Sequence, residues 1–351
     1  MKHLLYTLIG ISCLVACTSS PDSHFPRYSD FAKTKALSAQ VINLDTILFR
    51  YPFRVTVRDS IAVVMDLHNM DHYLHAFTYP GWKHVVSFGR RGEAPEEMLS
   101  AANFQFNSLD SLWALDPNKM QITRWKISPS TRSAERVEEI KLDKELVRSL
   151  DFHTMESGFF IPDYMGEFRY WEVDSNGKPV KSIGEIPGET IDENTVRPAL
   201  AQAWRSFMDY NPDNGILAIA TQLGEVFEIF NLKDNTHKVL YGPAGEPQYK
   251  TAKDGTGVPT GIMGFSDIKV TSKYIYAVFQ GIKFDDKIAA IKQGKEPENG
   301  AKYIYVFDLE GNPVRRYELD RRINSIDINE ETNTIVATEA KSDDPIIEFK
   351  I

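Results

Sequence analysis

Three aspartates, Asp66, Asp116 and Asp163, stand at the ends of apolar runs that recur along the chain. Carboxylates brought together at one mouth of a fold could bind cations. Two of them, or one with Glu93, held about 5–10 Å apart could serve as a glycosidase acid/base pair. Aspartates at strand ends also cap turns, and residue type alone leaves both uses open. The densest charge cluster is Arg90, Arg91, Glu93, Glu96 and Glu97. Arginines there could fork to a carboxylate or phosphate, or brace the loop by pairing with a neighbouring glutamate. Tyr164, Trp113 and Trp204 could stack on a sugar ring or pack in a core. His68, His72 and His75 would share a face only in a helix. Strand geometry sends His72 and His75 to opposite faces, so no metal is expected. The chain has no Gly-x-Ser-x-Gly elbow, no His-Glu-x-x-His, no phosphate-binding Gly-Lys-Ser/Thr loop and no Cys-x-x-Cys. No catalytic residue and no cofactor is therefore assigned.

The elements that must position these residues are short strands. Segments such as Ile61–Met65, Lys273–Val278 and Lys302–Phe307 are rich in β-branched and aromatic residues and are bounded by turn formers. Stacked together they give a weak repeat whose third strand carries aromatics: 75–79, 123–127, 170–173, 228–232, 305–309 and 347–351. Turns such as Asp174-Ser-Asn-Gly177 and Leu309-Glu-Gly-Asn312 follow several of them, with residues suited to tight hairpins. Four antiparallel strands per unit of about 45 residues is a propeller blade, and the count is six. The expected fold is an all-β six-bladed β-propeller over residues 37–351. The last unit stops at its third strand. Residues 39–44 form a strand without a partner of their own, so they are expected beside 345–350, closing the ring and hiding its edges.

Composition is that of a globular protein, with 42% hydrophobic and 25% charged residues. The formal charge of −9, with no basic cluster, argues against nucleic acid or anionic lipid as partner. Lys2 followed by the apolar run Leu4–Ile11 has the length of a signal peptide rather than of a bilayer span. Leu14-Val-Ala-Cys17 resembles a bacterial lipobox. The polar composition that follows Cys17 reads as a flexible tether over 17–36, while the resemblance implies a leader over 1–16, lipid on Cys17 and attachment to a membrane. With Thr18 next to the cysteine, it also implies an outer-membrane lipoprotein facing the periplasm. Cys13 and Cys17 are the only cysteines, so the folded part has no disulfide and must cohere by burial.

Six blades, a lipobox and the loop Gly89-Arg-Arg-Gly-Glu-Ala-Pro-Glu-Glu-Met98 together resemble the TolB-like six-bladed propeller lipoproteins. Ala94 and Met98 stand where that family's loop often carries glycine and phenylalanine. The resemblance implies the fold far more than a function.

Loop lengths carry the functional clue. Turns expected on one face are short (58–60, 107–111, 211–214, 330–333). All four long segments, 89–102, 184–203, 242–264 and 281–301, fall on the other. Within them, 195–207 has helical spacing of apolar residues, 242–264 reads as mobile, and 281–301 is a solvated charge mixture. The implied role is a non-catalytic module that binds a protein, peptide or glycan through this face. Arg90, Arg91, Glu93, Glu96, Asp66, Asp116, Asp163 and Tyr164 are the candidate contacts. A sensory or assembly subunit of an envelope complex, and a carbohydrate-active enzyme, are the alternatives.

Overall fold

Strands buried on both faces read as continuous apolar runs, and Ile61–Asp66 and Ile216–Thr221 are buried at every position. Such strands belong to sheets stacked face to face, and the computed structural model stacks six of them around an axis. It describes residues 25–44, 47–339 and 341–351. The leader and Cys17 lie outside them. Blades 1 to 4 are separate four-stranded antiparallel sheets. Blade 1 is Pro52–Arg58, Ile61–Asp66, His72–Thr78 and His84–Arg90. Blade 2 runs from Asn103–Ser108 to Ser133–Lys141, blade 3 from His153–Met155 to Pro179–Ile183, and blade 4 from Ser206–Asn211 to Thr236–Tyr241.

Blades 5 and 6 share a strand. Pro313–Asn329 is 17 residues long: its first part pairs with Ala301–Asp308 as the outer strand of blade 5. Residues 323–329 pair with Thr334–Glu339 as the inner strand of blade 6. The ring closes as expected: Gln40, Val41 and Ile42 lie antiparallel to Glu348, Ile347 and Ile346. Leu44 is buried in a cluster with Val55, Val57 and Ile346, so the seam between blades 6 and 1 has its own apolar core. Burying one such leucine contributes about 1.5–3 kcal/mol. Trp82 Nε1 of blade 1 also donates to Glu348 Oε1 at 3.1 Å.

Residues 25–36 are not a free tether. Tyr28 is buried, donates its hydroxyl to Glu225 Oε1 at 3.1 Å, and pairs its backbone with Tyr241. Phe31 packs on Tyr305 with ring centroids 4.6 Å apart, and Thr34–Leu37 lies parallel to the outer edge of blade 5. Aromatics three apart, Phe25, Tyr28 and Phe31, anchor a segment whose polar neighbours suggested solvent.

The two faces differ as their loop lengths suggested. On one, no turn exceeds five residues. Asp174 caps one of these turns by accepting from the N–H groups of Asn176 and Lys178, both at 2.9 Å, while Gly177 takes φ +79°. A Cβ at Gly177 would lie 2.1 Å from the Lys141 carbonyl, so only glycine fits. The other face carries residues 91–102, 142–152, 184–205, 242–261 and 284–300. Two expectations about these are corrected. The helix in the first large insertion is Arg197–Ala203, and Phe207 belongs to the inner strand of blade 4. Residues 242–261 are also tied down. Their hairpin Tyr249–Thr251/Gly257–Pro259 sits on that helix, Gly257 N–H donating to Gln202 Oε1 at 2.9 Å. Residues 284–300 hold the helix Phe284–Lys292, which buries none of its side chains.

Candidate functional site

The inner strand of every blade runs along the axis and changes character on the way. Near the insertion-bearing face these strands and the loops beside them present Phe53, Ala102, Leu150, Phe207, Phe265 and Asn324. Towards the short-turn face they present Thr56, Gln105, His153, Asp209, Lys269 and Asp327. Two cavities result. An apolar one of about 350 Å³ lies on the insertion side, and a wider, charged one of about 1030 Å³ lies on the short-turn side.

Arg54 packs behind the Phe53 and Phe207 rings that line the apolar cavity. It is 4% exposed, and its guanidinium lies 4.1 Å from the Phe53 ring centroid and 4.6 Å from that of Phe207. Its Nε is 3.9 Å from Asp267 Oδ1. A buried cation survives when carboxylates and aromatic faces replace its water.

Four aspartates stitch the inner strands together, each accepting a backbone N–H of the next blade. Asp151 takes Met208 N–H at 2.9 Å and Asp209 takes Val270 N–H at 2.7 Å. Asp267 takes Ile326 N–H at 2.9 Å and Asp327 takes Val57 N–H at 2.6 Å, across the closing seam. Burial pushes the Asp151 carboxyl up to about 6, against the pull of Arg54 and of its N–H donors. Burial likewise raises Asp327. Asp209 is lowered: burial opposes its charge, but Lys269, His153 and the Val270 N–H outweigh that cost. His153 Nε2 is 3.3 Å from Asp209 Oδ1. Lys269 is raised, because Asp267, Asp209 and Asp327 together overcome its burial.

Most of the residues singled out in the sequence lie away from both cavities. Asp66, Asp116 and Asp163 are buried caps of their own blades. Asp66 accepts from Arg50, Tyr51 and His68 N–H, and Asp116 from Leu99, Asn118 and Lys119 N–H and the Ser100 hydroxyl. Asp163 accepts from Met165, Glu167 and Phe168 N–H. With both oxygens of each taken by local donors, they cannot meet a partner or act as an acid/base pair; turn capping is what they do. Tyr164 is also buried, its hydroxyl 3.4 Å from the Ser206 carbonyl, and leaves the list of surface contacts. Trp204 is buried, with the Arg169 guanidinium 5.6 Å from its ring, whereas Trp113 lines the charged cavity. His75 is buried, its Nδ1 2.8 Å from Ser87 Oγ, while His72 is half-buried.

The loop 89–98 folds back on itself. Met98 is fully buried, the Gly92 N–H donates to the Met98 carbonyl, and the Met98 N–H donates to the Arg90 carbonyl. A Cβ at Gly92 would collide with the Glu97 carboxylate, which also accepts from Ala94 N–H and pairs with Arg90 at 3.2 Å. Arg90, Arg91, Glu93 and Glu96 remain exposed.

The family model described as "TolB-like 6-blade propeller-like" matches residues 30–331. The chain belongs to the TolB-like six-bladed propeller family. Among solved structures, a Bacteroides fragilis protein described as exported is similar, at 13% identity with a TM-score of 0.58, over 93% of this chain and 98% of that one. A DUF4221 family member from Bacteroides vulgatus gives 9% identity and a TM-score of 0.56 over 90% and 96%. The Pan2 WD40 domain of Neurospora crassa gives 11% and 0.50 over 90% and 95%. At these identities the likeness concerns the fold alone. No curated protein matches the chain in sequence.

For this TolB-like chain, sequence reading missed the axial residues. The signal was present: Asp151, Asp209, Asp267 and Asp327 each interrupt an apolar run that begins a repeat. A charge inside a buried strand demands a partner, and the next blade supplies it. Arg54 carried the same mark. Ser266 and Gln280 carried none, since polar residues at a bulge or strand end are common.

Exposed apolar side chains add to the contrast between faces. Of eleven large ones among the described residues, nine lie in connections on the insertion-bearing face: Leu48, Met70, Leu99, Val147, Met165, Val196, Val258, Ile288 and Ile291. Val41 and Val180 are the other two.

Proposed function

We propose that this protein is a non-catalytic binding module of the cell envelope that captures a protein, peptide or glycan on its insertion-bearing face. Lipid on Cys17 would hold it at the periplasmic side of the outer membrane. One observation carries the reading: long connections and exposed apolar side chains gather on the same face, while the opposite rim has only tight turns. Apolar groups left in water on a rigid scaffold support a role in contact with something else. The helix Phe284–Lys292, with Ile288 and Ile291 exposed, is the most prominent of these groups, and Arg90, Arg91, Glu93 and Glu96 add charge at the rim.

The start of the described chain supports envelope attachment in the same orientation. Phe25 stacks on Tyr241, the residue from which insertion 242–261 departs, and Arg27 pairs with Glu189 of insertion 184–205 at 3.1 Å. Phe25 lies eight positions after Cys17, a reach of at most about 28 Å. Among the described residues no helix is long and apolar enough to cross a membrane. A lipid at Cys17 would therefore keep the insertion rim near the bilayer and its partners.

Photo-cross-linking in cells tests this. A cross-linker at Ile291 should capture a defined partner, one at Asp59 on the short-turn face should not, and replacing 285–298 by a short Gly/Ser turn should abolish capture. Equal capture from Asp59, or capture that survives the replacement, would overturn the reading. The identity of the captured species separates an isolated receptor from a subunit of an envelope assembly.

A further inference from the structure

At the centre of the insertion-bearing face the apolar cavity has a wall chemistry that selects its contents. Its volume of about 350 Å³ is in the range of small-molecule sites. Aromatic side chains, Tyr51, Phe53, Phe207 and Phe265, form its walls, and its lining holds no Asp, Glu, Lys, Arg or His. A charged ligand entering it would exchange its hydration for apolar walls, since Arg54 stands behind the Phe53 and Phe207 rings and is already engaged with Asp267.

Two buried polar atoms in that wall have no hydrogen-bond partner among the described residues: Ser266 Oγ and Gln280 Oε1. Ser266 is only 7% exposed. Its position is built by a bulge. Phe265 pairs with Phe279 and Asp267 with Val278, which leaves Ser266 as the extra residue and turns both it and Phe265 to the cavity. Buried polar groups are normally satisfied, so an unmet pair beside an open apolar space marks a place for a ligand's polar group.

We infer that this cavity binds a neutral, mainly apolar compound bearing a hydroxyl group, such as a phenol or an alcohol with a compact hydrocarbon body. Gln280 Oε1 only accepts, and the Ser266 hydroxyl can donate. A ligand hydroxyl donates to the first and accepts from the second, while an ether or ketone leaves Gln280 unmet. The aromatic walls take the hydrocarbon body. The inference names what the centre of the insertion-bearing face holds, and rests on that face being the binding face. Its test uses the free protein and needs no partner.

The experiment titrates the full-length protein with 4-ethylphenol, ethylbenzene and 4-ethylbenzoate, read by saturation-transfer NMR and calorimetry. The phenol should bind about tenfold more tightly than ethylbenzene, and the carboxylate should not bind. Ser266→Ala and Gln280→Met should each bring the phenol down to the level of ethylbenzene while ethylbenzene itself is unchanged, which shows the cavity intact. Absence of phenol binding to the unaltered protein, equal binding of the carboxylate, or phenol affinity untouched by both substitutions would each overturn the inference. None of these outcomes bears on cross-linking at Ile291, so failure here and failure of the partner reading are distinguishable.

Discussion

The two ends of the propeller axis share the same six strands yet have opposite chemistry. On the short-turn side, Asp209, Asp327, Lys269 and His153 surround a polar space whose charges largely answer one another. On the insertion side, aromatic rings surround a smaller space in which two polar atoms go unanswered. Charges that are satisfied internally serve the ring: Asp209 and Asp327 each tie one blade to the next. Polar atoms left unsatisfied serve no structural partner. The comparison teaches that the more conspicuous electrostatics of this molecule are architectural, while the quieter end is where a ligand fits.

The strongest way to break that contrast is to remove the cation buried against Phe53 and Phe207. Arg54→Ala should destabilise the fold by about 3–5 kcal/mol in urea unfolding, because Asp267 and Asp151 lose a buried counter-charge. A loss below about 1 kcal/mol would mean that Arg54 does not act as a counter-charge to these aspartates.

Next in size is the pH dependence of Asp151. Its folded-state value of about 6 lies above the ordinary 3.8, so the folded protein holds this proton more tightly than the unfolded chain does. The contribution to stability is therefore full below about pH 4 and is lost as pH rises through 6, a difference of about 3 kcal/mol. Asp151→Asn should remove that part of the slope between pH 4 and 8 in thermal melts; an unchanged slope would refute the assignment. His75 runs the other way. Burial lowers it to about 4 from 6.5, so stability is lost as pH falls from 6.5 towards 4, and His75→Phe should flatten that limb.

Lys269→Met should cost about 1–3 kcal/mol at neutral pH, since three carboxylates then face one another with less compensation. The smallest effect on stability belongs to the insertion side. Ile288→Asp, at an exposed position of a helix with no fully buried side chain, should shift unfolding by less than about 0.5 kcal/mol while abolishing partner cross-linking. If the stability changes of Lys269→Met and Ile288→Asp come out alike, the two ends do not divide structure from recognition.

Much of this was legible in the sequence. Third-strand aromatics and Asp/Asn/Gly turns announced the blades, because strand alternation and tight turns are local properties of consecutive residues. The unpaired strand near residue 40 announced the closure, observed as Gln40–Ile42 on Ile346–Glu348. Loop lengths announced the asymmetry of the faces. Residues 25–36 were misread because a few anchoring aromatics were averaged into polar surroundings.

What only the tertiary structure decided is the axis. Arg54 meets Asp267 and Phe207 from other blades, and Ser266 reaches the cavity through a bulge that strand periodicity cannot reveal. Local patterns determine which residues form strands and which turn. The ring, through blade tilt and register, determines which side chains from six distant segments converge, and with them which polar atoms are answered and which are left for a ligand.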